Sequence, residues 1–169
     1  MKININTMRT KLVFIQMLVQ KTDSYVKHYP KDSEGDDGVA DDVIKYFLDI
    51  LIVFVAADRE LKPDEVELFA KFFENEEWDD SEKVLNVILA KHEQARENVL
   101  QVPLFFKVLA SHDEANGSNL SHQALEKIRD YIDIIITADG EIQSEEQAEA
   151  DEIIGCLTAH MRLSGISIN

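Results

Sequence analysis

The sequence predicts an all-α protein, and three observations support this fold class. Strand signals are scarce, because alternating apolar and polar runs are few and no Asn-Gly turn joins two apolar arms. Apolar residues instead recur at helical spacing along most of the chain. A helix, an acidic turn and a second helix also occur twice, 81 residues apart. These observations predict about seven helices in a compact bundle of two pseudo-symmetric helix–acidic turn–helix repeats.

The first predicted helix covers residues 5–22, and its apolar residues share one face: Met8, Leu12, Ile15, Leu18 and Val19. An exposed acidic connection follows at about residues 23–39, where Pro, Gly and six acids between Asp32 and Asp42 interrupt the helical pattern. The second helix begins with Asp41 or Asp42 as its cap and runs to about Ala57.

The second helix is predicted to occupy the centre of the bundle. Only Lys45 and Asp49 are charged between Val43 and Ala57, so nearly the whole circumference is apolar. A helix of this kind is stable only when other helices surround it.

Two helices are predicted to follow. The third opens at Pro63, a residue suited to the first helical position, and Asp64 and Glu65 favour the positive helix start. The fourth follows Trp78, and four of its apolar residues are expected to face inward: Val84, Leu85, Ile88 and Leu89.

The last three helices follow turn signals. Pro103 begins the fifth helix, which the turn-forming segment "DEANGSN" ends. The sixth begins at about Ser121. The seventh begins with Ser144 as its cap, and Gln147 three residues later completes a capping box.

Length and composition are typical of one folded domain covering residues 1–169. The 45% hydrophobic content allows a core, and no apolar stretch reaches the roughly 18 residues that a membrane span needs. No signal peptide is expected, because no small-residue cleavage site follows the N-terminal apolar stretch. The single cysteine, Cys156, excludes an intramolecular disulfide and is typical of a reducing cytoplasm.

The charge of the chain limits its partners. Thirty-three Asp and Glu residues against 17 Lys and Arg residues give a net charge of −16. Nucleic acid and anionic membranes need a positive surface, so neither is an expected partner, and no membrane insertion is expected. The charge favours metal cations or a protein partner with a basic surface, whereas solubility alone is the other explanation.

The internal repeat aligns Asp49–Glu65 with Asp130–Glu146. Leu61 and Ile142 correspond in chemistry, and the stretch between Asp49/Asp130 and Ala57/Ala138 is apolar in both copies apart from Asp133 in the second. The five identical pairs are Asp49/Asp130, Ala57/Ala138, Asp58/Asp139, Glu60/Glu141 and Glu65/Glu146. We interpret this match as a duplication, with repeat 1 at about residues 40–75 and repeat 2 at about 120–160.

Two explanations account for the acidic turns. In the first, each turn is a structural corner: Asp58 and Asp139 bond to the backbone two residues later, and Glu65 and Glu146 favour the start of the next helix. In the second, the carboxylates hold a divalent cation such as Ca²⁺ or Mg²⁺.

The cation explanation favours the second turn. This turn offers the carboxylates of Asp139, Glu141, Glu145 and Glu146. In the first turn, the positive charge of Arg59 lies among Asp58, Glu60 and Glu65. Aligned with an EF-hand loop, the second turn matches at Asp139, Gly140 and Glu146, but Ile135 and Thr137 occupy two positions that are normally acidic. An independent EF-hand is therefore not expected, and a site that pools both turns or adds Asp130 or Asp133 is left open.

The duplicated turn resembles the TerB-like family, the all-helical domain associated with tellurite resistance and also found in some membrane-anchored J-domain co-chaperones. The resemblance covers "AADRELKPDE" and "TADGEIQSEE" with their flanking helices. It implies a two-repeat α bundle in tellurite, phage or stress-response modules, and a metal-binding or charged docking role for Asp58, Glu60, Glu65, Asp139, Glu141 and Glu146. No His-Pro-Asp tripeptide is present, so no J-domain is implied.

The function predicted from these residues is a non-enzymatic, acidic, cytoplasmic docking or sensing module with a divalent-cation site at the acidic turns. A metal-dependent enzyme with its site between the two turns and a metal-free scaffold are the alternatives, and no catalytic residue is assigned. Asp49, Asp130 and Asp133 are second-rank site residues. Trp78 among acidic neighbours either marks a partner surface or closes the core from outside. The histidines lack the spacing of zinc or di-iron sites.

Overall fold

The computed structural model describes residues 5–22, 38–56, 81–137 and 142–166. Regular structure in these residues is entirely helical, and the helices are α1 (Ile5–Gln20), α2 (Val39–Val55), α3 (Ser81–Val99), α4 (Leu104–Asn116), α5 (Leu120–Ile136) and α6 (Ser144–Leu163). The all-α prediction is therefore confirmed. The predicted helix that opens at Pro63 lies outside the described residues, so the number of seven helices stays a prediction.

Helix α2 lies at the centre of the described bundle. It contacts α1, α3, α4 and α5. Every residue from Ile50 to Val55 is buried, so this part of the helix has no side exposed to solvent. The central position predicted from its all-round apolar sequence is confirmed. Among the helices that the structure describes, none is both long enough and apolar enough to span a membrane.

Helices α2 and α5 are joined by an aromatic contact inside the core. The rings of Phe47 and Tyr131 are tilted against each other with centroids 4.4 Å apart. The Tyr131 hydroxyl donates a hydrogen bond of 3.1 Å to the carbonyl oxygen of Phe47. Tyr131 is fully buried, and this burial raises its pKa well above the ordinary value, so the phenol remains a neutral donor.

Helix α3 packs through a narrower stripe than the sequence suggests. Its buried residues are Val84, Ile88, Ala95 and Val99. The expectation that Leu89 faces inward is wrong, because 38% of this side chain is exposed. Leu89 is one residue past Ile88 and is therefore rotated by about 100° from the stripe that contacts α2.

Carboxylates from other helices satisfy the backbone at the starts of α4 and α5. The amide of Phe105 donates to Asp42 Oδ2 at 2.9 Å. At α5, the amides of Leu120 and Ser121 donate to the two oxygens of Asp113, each at 2.8 Å. The residues at the N-cap positions, Pro103 and Asn119, make no side-chain cap of their own. The first amides of a helix have no partner within the helix, so these remote carboxylates fill that role.

The same arrangement corrects the predicted start of α2. The N-cap of α2 is Gly38, not Asp41 or Asp42, and it makes no side-chain cap hydrogen bond. Asp42 lies within the first turn of α2, and its carboxylate is directed to α4 instead. The sequence pattern of a capping Asp is therefore present, but the helix that this Asp caps is a different one.

Helices α2 and α5 have matching bounds. Each is 17 residues long, and Val39–Val55 is offset from Leu120–Ile136 by the 81 residues of the sequence repeat. Six aligned pairs are buried in both helices: 43/124, 47/128, 50/131, 51/132, 54/135 and 55/136. The helix after the first turn lies outside the described residues, so the pseudo-symmetric duplication stays a prediction.

We expect Asp113→Ala to lower the free energy of unfolding by about 2 kcal/mol or more, because it removes a cap and leaves two buried amides without a partner. The hydroxyls of Ser118 and Ser121, which donate to Asp113 at 2.6 and 2.5 Å, lose their acceptor as well. Urea unfolding at neutral pH measures this loss. The matched control is Glu114→Ala at the exposed neighbouring position, which should change stability by less than about 0.5 kcal/mol. Equal losses for both variants would contradict the capping role.

Candidate functional site

Most of the predicted acidic site lies outside the part of the chain that the structure describes. This applies to Asp58, Glu60, Glu65, Trp78, Asp139 and Glu141. The site residues that the structure does describe are Asp49, Asp130, Asp133, Glu145 and Glu146. Their surroundings show which of these carboxylates already have protein partners.

Glu146 has a structural partner. Its Oε2 accepts a hydrogen bond of 3.1 Å from the amide of Gln143, the N-cap residue of α6. The predicted capping box of Ser144 and Gln147 is therefore wrong by one position. Because the side chain of Glu146 reaches back to Gln143, the helix begins at Ser144 itself. The corner explanation of the acidic turn accounts for this carboxylate.

Glu145 is exposed to solvent. Its Oε2 accepts a hydrogen bond of 3.0 Å from the Ser144 hydroxyl. The pKa of Glu145 is lowered by its own backbone amide and by that hydroxyl, so the carboxylate is ionised at neutral pH. The structure describes two of the four acids predicted for the second turn, Glu145 and Glu146. Of these two, Glu145 is the one whose carboxylate remains accessible to a cation.

The two repeat-related aspartates have opposite surroundings. Asp49 is half-buried and accepts a hydrogen bond of 2.9 Å from the side-chain amide of Asn98. Desolvation raises the pKa of Asp49, although the Asn98 hydrogen bond opposes this effect. Asp130 instead forms an ion pair with Lys11 at 2.9 Å and contacts Lys127 at 3.3 Å. The hydrogen bond from Lys11 lowers the pKa of Asp130.

Asp133 stands apart from these residues. It is exposed and lines a groove of about 540 Å³ between α5 and α6, which we call the α5–α6 groove. The remaining charged residues of the groove are Arg129, Asp151 and Arg162, and its apolar or small lining residues include Ile132, Ala150, Ile154, Gly155 and Ala159. A Cβ atom added at Gly155 would meet nothing within 4 Å, so the groove is open at this position.

An acidic surface that the sequence did not predict lies on α3 and α6. Arg96 donates through Nε to Glu149 Oε2 at 3.3 Å and through Nη2 to Glu152 Oε2 at 3.1 Å. Glu93 and Glu97 flank Arg96 on the exposed side of α3. We call these four glutamates with Arg96 the α3–α6 acidic surface. The sequence signal was present in the spacing of Glu149 and Glu152 on α6, but only the contact between the helices shows that one arginine serves both.

The structure does not assemble the predicted metal site from the residues it describes. Among them, no group of three or more His, Cys, Asp or Glu side chains has an arrangement suited to a metal ion. Cys156 is partly buried, and its thiol donates to the carbonyl oxygen of Leu100 at 2.8 Å. The cysteine thus closes the contact between α6 and the α3–α4 connection.

Comparisons with protein-family models, with curated proteins and with solved structures found no match to this chain.

Asp49→Asn and Asp130→Asn should change stability in opposite directions at neutral pH. The raised pKa of Asp49 means that the folded protein binds this proton more tightly than the unfolded chain, so stability is lost as the pH rises above the ordinary value of 3.8. Asparagine can still accept the Asn98 hydrogen bond and has no charge to desolvate. Asp49→Asn should therefore equal or exceed the wild type in stability at pH 7, with its advantage disappearing at acidic pH.

The lowered pKa of Asp130 has the reverse sign, because its stabilising contribution is present above the unfolded-state pKa and is lost as the pH falls. Asp130→Asn should lower the free energy of unfolding at pH 7 by no more than about 1 kcal/mol, since this side chain is 43% exposed and solvent screens the pair. Urea unfolding of both variants and of the wild type, from acidic pH to pH 7, tests these opposite pH dependences. A loss of stability at pH 7 in both variants would contradict it.

Proposed function

We propose that this protein is a non-enzymatic, acidic module that docks a basic segment of another protein. The observation that carries the proposal is the α3–α6 acidic surface. Its Arg96 is already bonded to Glu149 and Glu152, so this cation offsets only part of the charge of the four glutamates. A surface with surplus negative charge attracts a basic partner and positions it before close contact.

The surroundings of the half-buried carboxylates support docking over catalysis. Asp42 has a raised pKa, first because of desolvation, but its oxygen accepts the Phe105 amide at the start of α4. Asp49 likewise accepts a hydrogen bond from Asn98. Neither residue lines the α5–α6 groove. Protein groups therefore account for the two aspartates whose pKa values are raised, whereas a general base requires access to a substrate.

The proposal includes a cellular role suggested by the resemblance to TerB-like domains. Domains of this kind are associated with tellurite resistance and stress-response modules, and the resemblance implies metal binding or a charged docking surface at the acidic turns. The cytoplasm is the proposed location, in agreement with the single cysteine. The duplication of the helix–acidic turn–helix unit belongs to the same proposal, and the matching bounds of α2 and α5 support it.

We expect Glu152→Lys to weaken binding of a fluorescently labelled oligolysine peptide at least about threefold more than Glu126→Lys does, because only Glu152 belongs to the α3–α6 acidic surface. Both variants change the net charge equally, and the two side chains have similar exposure, 54% and 55%. Fluorescence anisotropy at about 0.15 M salt measures the affinities while screening distant charges. Equal weakening in both variants would mean that the peptide responds to net charge alone.

A divalent cation at the second acidic turn is the second candidate function, and the exposed, ionised carboxylate of Glu145 favours it. On this hypothesis Asp139, Glu141 and Glu145 supply oxygen ligands, whereas Glu146 remains bonded to the backbone of Gln143. Hard cations such as Ca²⁺ and Mg²⁺ prefer this kind of ligand.

Binding of Ca²⁺ or Mg²⁺ at about 1 mM should raise the melting temperature of the wild type, because a ligand that binds only the folded state stabilises it. Asp139→Asn should reduce this shift, whereas Asp49→Asn should leave it unchanged as the control. An unmoved melting temperature in the wild type would remove the cation from the proposal and leave the docking function untouched.

A further inference from the structure

The α5–α6 groove contains two arginines that form no ion pair with any residue the structure describes. Arg129 and Arg162 line it, and neither forms a salt bridge within the residues that the structure describes. On a chain with 33 acidic and 17 basic residues, two such arginines in one groove stand out from the general charge balance. Arginine is enriched at protein interfaces, where it pairs with carboxylates of the bound chain. Asp133 and Asp151 line the same groove, so an occupant that fits it carries charges of both signs.

The floor of the groove determines the shape of this occupant. Ile132 and Ala150 are buried beneath it, while Gly155 and Ala159 are exposed one helical turn apart on α6. No side chain projects at Gly155, and only a methyl group projects at Ala159. Small residues at these positions allow another helix to approach α6 closely, towards the lower end of the usual 8–10 Å between helix axes.

Helix α6 itself carries an acidic and a basic residue in an order that lets two copies of it pair. Asp151 lies in its first half and Arg162 near its end, 11 residues or about 16 Å apart along the helix. When two copies of α6 pack antiparallel, each Asp151 faces the Arg162 of the other copy. The two pairs form together, because a twofold axis repeats every contact. The axis then passes beside Gly155 and Thr158, in the open part of the groove.

We propose that the α5–α6 groove is the interface through which two copies of this chain form a twofold-symmetric dimer, with Asp151 of each protomer paired to Arg162 of its partner. A purely basic partner fits the α3–α6 acidic surface but leaves the groove arginines unsatisfied. A second copy supplies both signs of charge in reversed order. The dimer interface and the α3–α6 acidic surface occupy different faces of α6, so a dimer presents two docking surfaces.

The net charge of −16 per protomer opposes this association. At about 0.15 M salt the Debye length is about 8 Å, so repulsion between distant charges is largely screened while contacts across the groove persist. The oligomeric state should therefore be measured at this ionic strength. The same reasoning predicts a weaker dimer at low salt.

Sedimentation equilibrium of the full chain between about 10 and 500 µM tests the interface over the range where a moderate dimer dissociates. The wild type should reach twice the protomer mass of 19.3 kDa. The single variants Asp151→Arg and Arg162→Asp place like charges opposite each other, and each should weaken the dimer at least about tenfold. The double variant, which carries both substitutions, restores opposite charges and should restore the dimer.

Lys21→Asp is the matched control for Arg162→Asp, since it changes the net charge equally at an exposed position away from the groove. It should dimerise like the wild type. Circular dichroism checks that every variant is folded, which is expected because residues 151 and 162 are both exposed. A monomeric wild type across the range, unaffected single variants, or a double variant that stays monomeric would each overturn the proposal. A monomeric wild type would mean that any occupant of the groove is a different protein.

Discussion

The burial of α2 is the constraint on which the rest of the described structure depends. From Ile50 to Val55 this helix has no polar side chain and no exposed residue. Apolar surface of this extent is stable only when it is removed from water, at roughly 25 cal/mol per Å². Helices α1, α3, α4 and α5 therefore all contact α2, and their own buried stripes face it. The aromatic contact between Phe47 and Tyr131 then sets how closely α2 and α5 approach.

The acidic residues of the chain stabilise helix starts as well as making the surface negative. Asp42, Asp113 and Glu146 each accept backbone amides at the start of a helix. A carboxylate is a strong acceptor for these otherwise unpartnered groups, and the helix dipole favours its charge. On the α3–α6 acidic surface, by contrast, Glu149 and Glu152 share one arginine and are not bonded to a helix start. Docking is accordingly proposed for these residues and not for the capping carboxylates.

For the repeat-related Asp49 and Asp130, the sequence specified the positions in the candidate site but not the chemical surroundings. Their aligned positions were evident from the sequence, and the structure places them in two helices of equal length. Their chemistry was not, because one faces Asn98 on α3 and the other faces Lys11 on α1. These partners are 49 and 119 residues away along the chain, and no local pattern specifies them. Desolvation and ion pairing consequently shift the two pKa values in opposite directions.

The sequence alone determined the helical fold class, the positions of the described helices and the central place of α2, because periodicity and helix propensity are local properties. The tertiary structure decided which groups the carboxylates of Asp42 and Asp113 cap, which pair of helices forms the α5–α6 groove, and that Arg96 joins Glu149 and Glu152. Leu89 shows the same limit, since its helix was predicted but its exposure depends on the angle at which α3 meets α2. Contacts between distant segments depend on packing in three dimensions, which the order of residues along one helix does not specify.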